Sequence, residues 1–303
     1  MKKVTLFFIV SGLLLLGLIA CTQKQEENKE IPVKPQENKV ENTEPKDDAN
    51  KLTIFAAASM TETLDKIIEA YKKVNPNLEI IATYDSSGTL KTQIQEGATC
   101  DIFISAAQKQ MNQLDASKDE KSGNKDKLDF VLQGSRVNLL ENKVVLAVPA
   151  DNKAQINSFA DLGSDKLKLL CIGNEDVPVG AYSQEILKNL NIWDKLQEAK
   201  KLTYGSNVKE VTTQVKEGTV DAGIIYATDA AAAGLTVVDK ADDKLCSQVI
   251  YPVAIMKNTQ NLQAAQDFMK FLQSKEAMDI FATVGFTPAN SATPATPETP
   301  AAK

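Results

Sequence analysis

The feature that most limits how this chain can fold is an alternation of short apolar runs with helix-like stretches, sustained in order from residue 51 to 114. Residues 51–58 read as an apolar strand, after which Leu64, Ile67, Ile68 and Tyr71 recur at helical spacing. Asn75-Pro76-Asn77 breaks that helix before a second strand over 78–84. A helix over 89–96 stopped by Gly97, a strand over 100–105 and a helix over 106–114 follow. Such alternation predicts an α/β architecture with a parallel sheet covered by helices on both faces. A second alternating unit occupies about 140–250, with an apolar strand at 142–149, strands at 167–172, 220–226 and 234–238, and helices at 182–190 and 208–216. A strand at 249–255 and helices at 263–272 and 277–284 complete the pattern. The lysine-rich stretch 118–127 reads as a surface insertion.

The ends of the chain have a different composition. Lys2 and Lys3 precede an apolar run over 6–20, too short to span a membrane comfortably and suited to the core of a signal peptide. It ends Leu18-Ile19-Ala20-Cys21, which resembles the lipobox cut before a cysteine that then receives lipid; a plain N-terminal membrane anchor is the alternative. Both place the folded part outside the cytoplasm. Residues 21–50 are mostly Lys, Glu, Gln, Asn and Pro, and 289–303 repeat Ala, Thr and Pro. Neither stretch can bury enough apolar surface to offset its ordering entropy, so both are expected to be disordered, the first as a tether. Cys100, Cys171 and Cys246 remain, an odd number that allows no complete disulfide framework; buried free thiols are expected, and a Cys171–Cys246 pair stays open.

Composition removes several chemistries. The chain of 303 residues has no histidine, the commonest general base and transition-metal ligand. Arg136 is its sole arginine, so a fork of several guanidinium groups cannot grip an anion. A serine nucleophile would lack its usual base, and no Gly-x-Ser-x-Gly motif supports one. A net charge of -6 argues against nucleic acid as a partner. Any bound anion would have to be met mainly by neutral donors.

Four strand-to-helix junctions carry such donors: Ser59-Met-Thr-Glu62, Ser86-Ser87-Gly88-Thr89, Val177-Pro178-Val179-Gly180 and Ser206-Asn207-Val208-Lys209. Helix N-termini present free N–H groups and the positive end of the helix dipole, and open α/β sheets bind ligands at the carboxyl ends of their strands. Taken singly, Ser59, Ser87 and Asn207 also fit the role of ordinary helix caps, with Ser59–Glu62 in the pattern of a capping box.

The ordered set of segments Thr53–Met60, Asp85–Leu90, Cys100–Ala106, Val177–Tyr182, Asp221–Tyr226, Tyr251–Ala254 and Gly285–Thr287 resembles the periplasmic molybdate-binding proteins of ABC importers, over about 51–287. The resemblance implies a type II periplasmic binding protein fold, with two α/β lobes, mainly parallel sheets and a ligand cleft between them. The lobes would comprise 51–139 with 251–288, and 140–250. It implies an oxyanion site built from the hydroxyls and N–H groups of Ser59 and Ser87, the backbone N–H groups of Val179 and Val208, and the hydroxyl of Tyr226, with no formal charge. Gly88 and Val179 stand where other members often carry serine and alanine. The implied ligand is molybdate or tungstate, with sulfate or another oxyanion as the alternative. No cofactor, free metal cation or catalytic activity is implied. The implied partners are a membrane permease and, through lipidated Cys21, the membrane itself, with the protein a monomer.

Overall fold

A computed structural model of the protein describes residues 50–289. The expected signal peptide, Cys21, the tether up to residue 49 and the tail from 290 lie outside the described residues. Among the described residues, no helix is long and apolar enough to cross a membrane.

The chain begins with β1 (Lys51–Ala57), a short 3₁₀ turn (Ala58–Met60) and α1 (Thr61–Val74). Then come β2 (Glu79–Asp85), α2 (Ser87–Gln95), β3 (Ile102–Ile104), α3 (Gln108–Leu114) and β4 (Val137–Asn142). The next segment holds β5 (Val144–Val148), β6 (Leu170–Gly173), α4 (Pro178–Asn189), α5 (Trp193–Glu198), β7 (Leu202–Gly205), α6 (Val208–Lys216), β8 (Ala222–Tyr226), α7 (Ala227–Ala233) and β9 (Thr236–Lys240). The chain returns through β10 (Val249–Ile255), α8 (Leu262–Leu272), α9 (Lys275–Ala282) and β11 (Thr287–Pro288).

Two sheets result, ordered β11-β4-β10-β3-β1-β2 and β7-β6-β8-β5-β9. Each belongs to one α/β lobe. Strand direction is more mixed than alternation alone predicts. β1 runs parallel to β2 and β3, and β6 parallel to β7 and β8. β10 is antiparallel to β3 and β4, and β5 antiparallel to β8 and β9. The reason lies in how the strands arrive: β5 and β10 enter their sheets by crossing from the other sheet, not through a helix on the same face. The first crossing is a single residue, Lys143, between β4 and β5; the second is the segment between β9 and β10.

The apolar patterns fall where burial needs them. Leu64, Ile67, Ile68 and Tyr71 of α1 all face the core, and all five residues of β5 are buried, as a strand covered on both faces requires. Tyr71 packs edge-on against Phe268 of α8, at a ring separation of 5.1 Å. Gly234 takes a left-handed conformation, φ 66°, to end α7. Cys100, Cys171 and Cys246 are buried free thiols. Ala289 is buried and donates its N–H to the Leu139 carbonyl, so the chain is still packed at that point.

Candidate functional site

The carboxyl ends of β1, β2 and β8 meet the N-termini of α2, α4 and α6 around one small cavity. It holds about 190 Å³, including the part open to solvent, and is lined by Ala57, Ala58, Ser59, Asp85, Ser86, Ser87, Ala106, Val177, Pro178, Val208 and Tyr226. Four of the five residues expected to form the site, Ser59, Ser87, Val208 and Tyr226, therefore reach one space, drawn from both lobes. Val179 is fully buried one position beyond the lining Val177 and Pro178. A larger surface hollow, with Tyr71 and Met269 in its wall, and another lined by Phe130 take residues from the first lobe alone.

The two serines are not helix caps. Ser59 lies in the 3₁₀ turn, and α1 starts after it with Met60 as N-cap and no side-chain cap bond, so the capping-box reading is overturned. The Ser59 hydroxyl instead lies 2.8 Å from the hydroxyl of Tyr251. α2 is capped by Ser86, whose Oγ accepts the Thr89 N–H at 3.1 Å. Ser87 is thereby released, and its Oγ accepts the Ala106 N–H at 2.9 Å. That bond uses an oxygen lone pair and leaves the Ser87 hydrogen available to the cavity. Asn207 is a true cap, accepting the Glu210 N–H at 3.1 Å. Val208 opens α6, Val179 follows Pro178 in α4, and Ser87 opens α2. Their N–H groups belong to the first turns, where no intrahelical acceptor exists.

Tyr226 ends β8 with 1% of its surface exposed. Its ring lies between those of Tyr182 and Tyr251, at 6.5 and 5.8 Å. Its hydroxyl is buried with no hydrogen-bond partner among the described residues. Burial, with the nearby Tyr251, Tyr182 and Asp229, holds it protonated far above the ordinary tyrosine range. It is a donor lacking an acceptor, in the wall of a cavity otherwise rich in donors.

Asp85 is a departure from a shell of neutral groups. Its carboxylate borders the cavity, but Oδ1 already accepts the Ser86 N–H at 2.7 Å and the Asn207 side-chain amide at 3.3 Å. The second of these bonds joins the lobes. So does the Gly88 N–H, which donates to the Asp176 carbonyl at 3.0 Å. A third link is ionic: Lys209 Nζ lies 2.7 Å from Glu62 on α1 and 3.1 Å from Asp229 on α7. Burial pushes Asp229 up to about 6, against the pull of Lys209. Sequence reasoning assigned no role to Asp85, Tyr251, Asn142 or this ionic group; Asp85 and Tyr251 open two of the segments that carry the family resemblance, but nothing in the local spacing marks what they do. Among the described residues, no group of three or more His, Cys, Asp and Glu could hold a metal ion.

Two α/β lobes closing on a small cavity of hydroxyl and amide donors define a solute-binding protein. The chain belongs to the bacterial extracellular solute-binding proteins, a family that matches residues 52–287. This makes it an extracytoplasmic binding protein, not an enzyme. It is 37% identical over 237 residues to YvgL of Bacillus subtilis, provisionally named an ABC transporter substrate-binding lipoprotein, covering 78% of this chain and 86% of that one. It is 34% identical over 244 residues to the molybdate-binding protein ModA of Haemophilus influenzae, covering 78% and 90%. Among solved structures it resembles the substrate-binding domain of a provisionally assigned molybdenum ABC transporter from Clostridium difficile, with a TM-score of 0.59, 39% identity and coverage of 78% and 98%.

Proposed function

We propose that the protein captures molybdate, or the similar dianion tungstate, and delivers it to the membrane permease of an ABC importer. The observation that carries this reading is the buried, unpartnered hydroxyl of Tyr226 beside two serines freed from capping duty. A buried donor left without an acceptor costs about 1–3 kcal/mol, a cost that a bound acceptor removes. A proton-free tetrahedral dianion is such an acceptor at every oxygen. Phosphate carries a proton near neutral pH and would want an acceptor in return. Ser59, Ser87 and Tyr226 would supply hydroxyls, and Ser59, Ser87, Val179 and Val208 backbone N–H groups. The oxyanion would be a transported ligand and not a cofactor.

The names of the relatives support molybdate and a lipoprotein. In this reading Cys21 is lipidated after removal of residues 1–20, and the folded part works as a monomer on the outer side of the membrane. The strand positions support lobe limits near Lys143 and within 241–248, close to the divisions expected from sequence. Calorimetry with molybdate, tungstate and sulfate tests the ligand: the first two should bind at least about 100-fold more tightly than sulfate, a difference of roughly 3 kcal/mol. Tighter binding of sulfate would overturn the assignment.

A further inference from the structure

The Ser59 hydroxyl can serve an anion only if its hydrogen points into the cavity, and a chain of buried groups behind it fixes that direction. The chain starts at Asn142, the last residue of β4, just before the crossing at Lys143. Its Oδ1 accepts the Lys143 N–H at 2.8 Å, which sets the orientation of the amide. The amide nitrogen then donates to Thr228 Oγ1 at 2.9 Å and to the Tyr251 hydroxyl at 3.2 Å. An amide N–H can only donate, so the Tyr251 oxygen is an acceptor in that bond. Ser59 Oγ, at 2.8 Å, is the other close neighbour of the Tyr251 hydroxyl, and a Tyr251 hydrogen turned anywhere else would be buried without an acceptor, so we infer that it is donated to Ser59. Ser59 accepts there and keeps its own hydrogen for the cavity. Asn142, Thr228, Tyr251 and Ser59 are each at most 4% exposed, so water does not compete for these bonds.

We propose that Tyr251, polarised by Asn142, is a positioning residue that turns the Ser59 hydroxyl into an obligate donor to the bound anion. The proposal rests on the reading of the cavity as an oxyanion site. With the opposite polarity, Ser59 would spend its hydrogen on Tyr251 and present lone pairs to a dianion. Burial holds Tyr251 protonated well above the ordinary tyrosine range, so it stays a donor across physiological pH. Bonds in such a chain also strengthen one another in a low-dielectric interior. The chain reaches the second lobe through Thr228, two residues after Tyr226 at the start of α7, so the orientation of Ser59 is tied to the seating of that helix.

The test is a double-mutant cycle on the full chain, with molybdate affinity measured by calorimetry and folding checked by thermal melting. Tyr251→Phe keeps the ring and deletes the donor; affinity should fall about tenfold. In a Ser59→Ala background the same change should alter affinity less than about twofold, because no hydroxyl remains to be oriented. A purely packing role for Tyr251 would lower affinity equally in both backgrounds and would overturn the proposal. As a second arm, Asn142→Asp exchanges the amide donor for an acceptor that draws the Tyr251 hydrogen away from Ser59. It should weaken binding at least as much as Tyr251→Phe; unchanged affinity would sink the relay. Failure of the unmodified protein to bind molybdate, tungstate or sulfate overturns the site and the relay together. Normal binding with an unaffected Tyr251→Phe variant overturns the relay alone.

Discussion

Tyr226 and Ser87 both border the cavity, yet their hydroxyls stand in opposite relations to the folded chain. The Tyr226 hydroxyl has no partner among the described residues, so Tyr226→Phe removes a desolvated group without breaking a bond. The ligand-free variant should melt at the same temperature as the parent or a few degrees higher, reflecting about 1 kcal/mol, while molybdate affinity drops tenfold or more. Ser87→Ala strips the Ala106 N–H of its acceptor. It should lower both ligand-free stability, by about 1 kcal/mol, and affinity. Paired melting and calorimetry separate the two patterns, and a stability loss in Tyr226→Phe matching that of Ser87→Ala would contradict this account. Single residues also mark the limits of the sequence. Ser59 has the spacing of a cap and is none, because the 3₁₀ turn delays the helix; the cap of α2 is Ser86, one place before the residue that faces the cavity. Family resemblance, not local spacing, pointed to the two serines that border the cavity.

At the scale of elements, α1, α6 and α7 are held by Lys209, which joins exposed Glu62 to fully buried Asp229. Burial lowers the affinity of Lys209 for its proton, but the two carboxylates more than offset this and leave it raised. Asp229 titrates near 6 in the fold, above the ordinary carboxylate value, so the folded protein takes up a proton that the unfolded chain does not. The stability linked to that proton is fully present below about pH 4 and is lost as pH rises through 6. In ligand-free protein, Asp229→Asn should erase this dependence. The stability of the variant minus that of the parent, followed by thermal melting, should grow from pH 4 to 7 by on the order of 1–3 kcal/mol and then level off. A flat difference would refute the buried charge. Elements with strong apolar contrast, such as α1 and β5, were legible in the sequence. α7 was not: it is nearly all alanine and shows no periodic face. β7 is a four-residue edge strand, and β4 mixes Asn and Glu into its pattern, so neither stands out. The antiparallel entry of β5 and β10 depends on pairing between distant segments that no local window contains.

For the whole molecule, the lobes approach so closely at Gly88 that nothing larger fits. A Cβ there would lie 2.3 Å from the Asp176 carbonyl oxygen, which is backbone and cannot swing aside. Gly88→Ala should therefore leave each lobe folded but bar this degree of closure. Molybdate should bind at least about tenfold more weakly, and the rise in melting temperature on adding it should shrink accordingly. Undiminished affinity would show that closure tolerates a wider gap. The lobes are also joined through the chain itself, at Lys143 and over 241–248. Asn142, where the chain leaves the first sheet, is the register partner of Val249, where it comes back. The second lobe is thus a guest carried on neighbouring strands of its host. Excising residues 143–248 and bridging Asn142 to Val249 with a tight hairpin should leave all six strands of the host sheet in place, a self-sufficient half-receptor offering Ser59 and Ser87 with nothing to close over them.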